Sequence, residues 1–225
     1  MKDRAVIFDL DGTLLNTLDD LTAAVNHALN GSGTLDVPCV RKLVGNGVPK
    51  LISRALNVVA GRTPDSADRP DGFDECLKSF TEYYNVHSAD MTAPYDGVAE
   101  LLREVKNRGA RTAIVTNKYD GAAQKLKERF FKTVDIVIGA TPDIRPKPAP
   151  DGTLKAIAAL GVDKAKCVYV GDGETDVATA KNCGIPVVAV TWGFRDREEL
   201  EPLAPDYIID SPTELVQTLE KAGLI

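Results

Sequence analysis

The stretch AVIFDLDGTLLN, residues 5–16, decides how this chain is read. A short apolar run ends in two aspartates separated by one leucine, and Gly-Thr follows. Four apolar residues in a row, without alternation, suit a strand buried on both faces, as in a parallel sheet covered by helices. Acids at the end of such a strand stand where open parallel sheets bind their ligands, outside the carboxyl ends.

Similar β-rich runs recur at 112–115, 134–138, 167–170, 187–190 and, weakly, 207–209. Helical patterns separate the later runs. One covers 98–108 and stops at Gly109; another covers 151–160, with Asp151 as a candidate cap, and stops at Gly161. A third covers 176–183 and stops at Gly184. Acids at the starts and glycines at the ends are the residues that helix termini need. Strand–helix alternation predicts an α/β fold with a Rossmann-like, doubly wound parallel sheet. Residues 17–90 break the pattern. They carry no clear strand, but show helical periodicity at 18–29, 48–59 and 73–84, with a polar loop at 61–72. The expected organisation is an α/β catalytic core, residues 1–16 and 91–225, with a small all-helical cap domain, residues 17–90, inserted after the first strand.

Composition narrows the function. The 225 residues are 44% apolar and carry a formal net charge of -6. That balance argues against nucleic-acid or anionic-membrane partners, which need a basic surface. The four cysteines form no C-x-x-C and read as free thiols; the two histidines have no metal-ligand spacing. No apolar run approaches the ~20 residues of a membrane span, and the chain opens on a strand, so a cytoplasmic location is expected. Oligomeric state is not legible.

Four expected strand ends carry chemistry: Asp9-Leu10-Asp11-Gly12-Thr13, then Thr116-Asn117-Lys118, then Arg145-Pro146-Lys147-Pro148, and Gly171-Asp172-Gly173-Glu174-Thr175-Asp176. Asp9, Asp11 and Asp172 would meet at one sheet edge. Each like-charge pair at ~4 Å costs on the order of 4 kcal/mol at an effective dielectric near 20. Such a gathering needs a cation or bound protons, and a set of oxygens without histidine suits Mg2+. Lys147, Thr116, Asn117 and nearby backbone N–H groups would supply donors for a phosphoryl group. Asp9 can then attack phosphorus, while Asp11, on the same side of an extended chain, protonates the leaving oxygen and later activates water. Gly12 lets the backbone turn close to the phosphate.

Blander readings weigh against single motifs. Asp-x-Asp-Gly alone is ordinary turn chemistry. Asp172, Glu174 and Asp176 imitate the start of a calcium loop, but Val177 stands where that loop needs glycine. Gly45-Asn46-Gly47 before Lys50 lacks phosphate-loop spacing, so a loop over the substrate is expected, with Lys50 or Arg54 facing a carboxylate. Trp192 reads as local packing.

Taken together and in this order, Asp-Leu-Asp-Gly-Thr, Thr116, Lys147 and Gly-Asp-Gly-Glu-Thr-Asp resemble the four motifs of the haloacid-dehalogenase-like superfamily over essentially the whole chain. The second aspartate resembles the phosphatase branch. Val44-Gly45-Asn46-Gly47-Val48-Pro49, Val115-Thr116-Asn117-Lys118 and Thr191-Trp192-Gly193-Phe194 resemble its phosphoglycolate phosphatase members. The resemblance implies Asp9 as nucleophile and metal ligand, with Asp11 as acid/base and as a metal ligand through its carbonyl. It implies Thr116 and Lys147 on the phosphoryl oxygens, Asp172 completing a Mg2+ site, and Asp176 orienting Lys147 or a metal-bound water. Gly12, Asn117, Gly47, Lys50 and Arg54 are the expected substrate contacts. The expected substrate is a small phosphate ester, 2-phosphoglycolate. Alternatives on the same motifs are a pyrophosphatase, a broad sugar-phosphate or nucleotide phosphatase, a phosphosugar mutase, and a non-catalytic phosphate-binding module.

Overall fold

The computed structural model describes residues 4–67 and 69–225. The chain opens with β1 (Ala5–Phe8) and the short β2 (Leu15–Asn16). Four helices follow: α1 (Leu18–Leu29), α2 (Val37–Leu43), α3 (Val48–Val59) and α4 (Phe73–His87). The chain then alternates through β3 (Ala93–Pro94), α5 (Val98–Asn107), β4 (Arg111–Tyr119), α6 (Asp120–Phe130), β5 (Ile136–Ala140) and α7 (Asp151–Leu160). It ends with β6 (Cys167–Gly171), α8 (Glu174–Cys183), β7 (Val187–Val190), α9 (Arg197–Leu200), β8 (Tyr207–Ile209) and α10 (Pro212–Lys221). Two compact units result: residues 1–16 with 94–225, and residues 17–93.

The larger unit holds a six-stranded parallel sheet in the order β5-β4-β1-β6-β7-β8. The chain winds from β1 through β4 to β5 on one side, then crosses to β6 and winds to β8 on the other. The reversal places a topological switch point beside β1, where a ligand crevice opens in such sheets. Every residue of β1 is fully buried, as are Val168, Tyr169 and Val170 of β6 and all four residues of β7. Each buried Val, Ile or Phe contributes about 1.5–3 kcal/mol relative to exposure. The acids after β1 and β6 therefore ride on the most firmly held strands of the sheet. Helices cover it with apolar stripes, as in α5, which buries Val98, Leu101, Leu102 and Val105 at helical spacing.

Several element ends depart from the sequence reading. β4 runs on through Thr116, Asn117 and Lys118 to Tyr119, with a register irregularity against β5 after Val115. Residues 134 and 135 follow the turn that leads into β5 and are not its start. Val134 N–H donates to Phe131 O, and the Asp135 carboxylate accepts from Thr112 N–H at 2.8 Å. Asp151 does not cap α7; it is the first helical residue, and both its oxygens accept from Arg145 at 2.9 Å. α8 begins at Glu174, two residues earlier than its apolar pattern. There the Asp176 carboxylate reaches back to the Gly173 N–H at 3.1 Å and satisfies an N–H that the helix start leaves free.

The smaller unit is helical. α1 buries Leu18, Leu21, Ala24, Val25, Ala28 and Leu29 and packs on α4. Within it, the buried Asp20 carboxylate accepts from the Met91 and Thr92 N–H groups and from the Thr92 hydroxyl, at 2.7–3.2 Å. The loop expected at 61–72 contains no helix or strand among its described residues, and Asp68 lies outside them. No helix among the described residues is long and apolar enough to cross a membrane.

Candidate active site

Asp9 follows β1 directly, and its N–H continues the ladder to Val170 O at 2.9 Å. The chain then turns tightly: Leu10 O accepts from Leu14 and Leu15 N–H at 3.0 and 2.9 Å. Gly12 makes this turn with φ +88°, and a Cβ there would stand 2.3 Å from Asp172 Oδ2. Both the dihedral and the space require glycine. The turn therefore presses against the loop after β6, which brings Asp172 to the first strand's acids.

Asp9, Asp172 and Asp176 are buried, and each offers an oxygen within 4.8 Å of the others. Lys147 enters this cluster with its Nζ 2.8 Å from Asp9 Oδ1 and 2.7 Å from Asp176 Oδ1. Burial acts to lower the Lys147 pKa, but the Asp176 and Asp9 charges outweigh it and hold the ammonium well above its usual range. Burial raises Asp9 to about 7, with Lys147 opposing and Asp176 adding to the rise. Burial likewise raises Asp172 to about 8, reinforced by Asp176 and Asp9. One ammonium does not balance three buried carboxylates.

The hydrogen bonds divide the three acids. Asp176 is saturated: Oδ1 takes Lys147, and Oδ2 accepts from Asp172 and Gly173 N–H at 3.2 and 3.1 Å. Asp172 is pinned by the Thr13 hydroxyl at 3.0 Å and by Phe194 N–H at 2.8 Å. Among the described residues, Asp9 Oδ1 is buried with no backbone or hydroxyl donor to it and only the Lys147 ammonium beside it, at 2.8 Å. An under-satisfied buried carboxylate among oxygen donors fits a hard divalent cation such as Mg2+.

Thr116 and Lys147 stand on β4 and on the loop after β5. Asn117 locks those two segments together. Its Nδ2 donates to Lys147 O at 3.1 Å, and its Oδ1 accepts from Lys147 N–H at 2.7 Å. The Asn117 amide is thus committed to aiming Lys147, where the sequence reading expected a substrate contact. Beneath Lys147 lies the Tyr169 ring, its centroid 5.7 Å from Nζ, while the Tyr169 hydroxyl donates to Val115 O at 2.9 Å. Trp192 packs locally and donates its indole N–H to Thr13 O at 3.0 Å.

Gly47, Lys50 and Arg54 belong to the helical unit. Gly47 precedes α3 with φ +83°. Lys50 and Arg54 both pair with Asp65, at 3.0 and 2.9 Å, and Arg54 also donates to Leu43 O. Two residues that the sequence reading quoted within motifs but gave no role stand at the site. Lys118 Nζ lies 2.9 and 3.2 Å from the two oxygens of Asp11. Gly193 packs so closely that a Cβ would meet Gly12 O at 2.3 Å. A signal existed for Lys118, because it alternates with Thr116 along a strand. Gly193 offered none, since its neighbour is far away in sequence.

Comparison with known proteins agrees with this geometry. Residues 6–190 match the family model described as haloacid dehalogenase-like hydrolase. The phosphoglycolate phosphatase of Mesorhizobium japonicum is 36% identical over 99% of each chain. The N-acetylmuramic acid 6-phosphate phosphatase of Pseudomonas aeruginosa is 31% identical over 99% of this chain and 97% of its own. A crystal structure from Lactobacillus delbrueckii subsp. bulgaricus superposes with a TM-score of 0.91 at 34% identity, covering 97% of this chain and 99% of that one. Motif order, strand-end geometry and near full-length similarity agree, and the chain belongs to the haloacid dehalogenase-like hydrolase family.

Proposed function

We propose that the protein is a Mg2+-dependent phosphatase that hydrolyses a small phosphomonoester, 2-phosphoglycolate, through an aspartyl-phosphate on Asp9. One observation carries the reading: an under-satisfied carboxylate at the switch point stands beside a fixed ammonium, while a second carboxylate two residues on is held by a different ammonium. The substrate name rests on the relatives called phosphoglycolate phosphatase, at 31–36% identity.

Asp9 and Asp172 would hold the cation, with Asp176 orienting Lys147. When bound, Mg2+ supplies positive charge against the phosphoryl oxygens and lets the Asp9 and phosphate charges approach. Lys147 and the Thr116 hydroxyl take the remaining phosphoryl oxygens, aimed by Asn117 and Tyr169. An Asp9 oxygen forms a bond to phosphorus as the ester P–O bond breaks, and protonated Asp11 gives its proton to the departing oxygen. In the second half, Asp11 takes a proton from water as that water bonds to phosphorus. The acyl-phosphate bond breaks, phosphate leaves, and the Asp9 carboxylate returns.

The test is phosphate release with and without Mg2+ from 2-phosphoglycolate, pyrophosphate, a hexose phosphate and a nucleotide monophosphate, compared by kcat/KM. A Mg2+-dependent preference for 2-phosphoglycolate supports the reading, and Asp9→Asn then abolishes turnover. Comparable rates on all four withdraw the substrate name. Retained turnover in Asp9→Asn overturns the covalent route.

A further inference from the structure

Asp11 is the one acid of the site that stands outside the Asp9, Asp172 and Asp176 cluster among the described residues, and it has an ammonium of its own. Lys118 reaches it from β4. Alternation along that strand turns Thr116 and Lys118 to the same side, and both are buried, while the next residue, Tyr119, is exposed. The Lys118 N–H donates to the Thr116 hydroxyl oxygen at 3.2 Å. The phosphoryl-facing hydroxyl and the root of the lysine are therefore fixed to each other. From there Nζ contacts both Asp11 oxygens, at 2.9 and 3.2 Å, with the lysine side chain 5% exposed and the aspartate side chain 18% exposed.

Such a pair does little for stability, because the cost of desolvating two charges offsets most of their attraction. Its effect is geometric. The Asp11 side chain is short, follows a tight turn and would otherwise sample several rotamers. Contact with both oxygens selects one of them. A carboxyl group that must lie within hydrogen-bond reach of a leaving oxygen gains rate from that restriction, since misplacement by about 1 Å can cost about 10²-fold.

We propose that Lys118 is the positioning residue of the leaving-group acid: it holds the Asp11 carboxyl where a proton can pass to the departing ester oxygen. The proposal rests on the reading of Asp11 as acid and base given above. It assigns Lys118 to Asp11 and leaves Lys147 to the nucleophile and the phosphoryl group.

The experiment compares Lys118→Met with the unaltered protein on two substrates. 2-Phosphoglycolate has an alkoxide leaving group that needs a proton; p-nitrophenyl phosphate has one that leaves without it. The quantity read is kcat/KM, which covers steps only through P–O cleavage and so excludes the later attack by water. Lys118→Met is expected to lower kcat/KM about 10²-fold for 2-phosphoglycolate and less than about threefold for p-nitrophenyl phosphate. An equal fall on both substrates, or no fall on 2-phosphoglycolate, overturns the proposal, whatever happens to the melting temperature. Lys118→Leu, which likewise removes every donor to Asp11, carries the same two-substrate reading if the methionine variant does not fold. Asp11→Asn run alongside separates the two failures. If it shows the substrate difference and the Lys118 variants do not, only the positioning role falls. If it shows no difference, the acid role of Asp11 falls, and the Lys118 proposal falls with it.

Discussion

Gly193→Ala tests how tightly the acids are held. The φ of Gly193 lies outside the left-handed region, so an added methyl meets no backbone strain and its effect is purely steric. That Cβ would lie 2.3 Å from Gly12 O and 2.4 Å from Asp172 Cβ, where ordinary contact begins at 3.4 Å. About 1 Å of separation must therefore be created. Neither neighbour is the far end of a flexible side chain. Asp172 is also held by Thr13 and by Phe194 N–H, so the displacement passes to its carboxylate and to the Asp11–Gly12 turn. Overpacking of this kind costs about 1–3 kcal/mol. At about 2–4 °C per kcal/mol for a chain of this length, the melting temperature should fall by roughly 2–12 °C. Displacing the acids by about 1 Å should lower kcat about 10²-fold and weaken Mg2+ binding, read by a Mg2+ titration of activity. An alanine variant with unaltered melting temperature, kcat and Mg2+ dependence would refute the packing argument, because the methyl would then have found room without moving Asp172.

Two further outcomes follow from the buried acids. Burial holds Asp9 and Asp172 near 7 and 8, above their unfolded values near 3.8. A raised folded pKa contributes stability that is complete below about pH 4 and is lost as pH rises through 7 and 8. In the proposed site Mg2+ would replace those protons, so its stabilising effect in a thermal melt should be larger at pH 8.5 than at pH 5.5; an equal or reversed effect would remove Asp9 and Asp172 from the cation site. In the helical unit, Asp20→Ala takes the acceptor from the buried Thr92 N–H and hydroxyl and from the Met91 N–H. It should cost about 2–4 kcal/mol in a urea melt, and a loss under about 0.5 kcal/mol would show that water takes the place of the carboxylate.

The parallel core was legible because doubly covered strands need unbroken apolar runs, as in Val168–Val170 and in β1 and β7. Legibility ended where polar residues continue an element. Thr116 and Lys118 extend β4 although they break its apolar run, because their side chains are taken up by the site. Asp176 hid the true start of α8 by serving Lys147 and the helix's own N–H groups together. Chemistry placed at strand ends by motif was recoverable because neighbouring parallel strands bring their ends together. What joins those ends was not. Asn117 reads as a substrate donor until its amide is seen closed on the Lys147 backbone. Lys50 and Arg54 read as partners for a substrate carboxylate until Asp65, in a loop with no pattern of its own, is found beside them.

The charge at the site explains why the proposed cation and the two lysines would belong to one design. Asp9, Asp11, Asp172 and Asp176 bring four carboxylates to the switch point, and Lys147 and Lys118 bring two ammoniums. With all six groups ionised, two negative charges remain in a place that water scarcely reaches. Two bound protons can remove them, as the raised Asp9 and Asp172 values show, and so can one divalent cation. In the proposed mechanism, protons would occupy the oxygen that is to attack phosphorus, whereas a cation would leave that oxygen charged and bring it close to an anionic ester. A third lysine in place of the cation would balance the charge only in part, and with one fixed direction of approach. On that mechanism the two lysines would divide the labour: Lys147 pairs with Asp9 and Asp176, the acids that would stay ionised through the reaction. Lys118 stands apart on Asp11, which in the proposed mechanism would give up a proton and take one back, and its contact there would fix position without crowding the phosphoryl group.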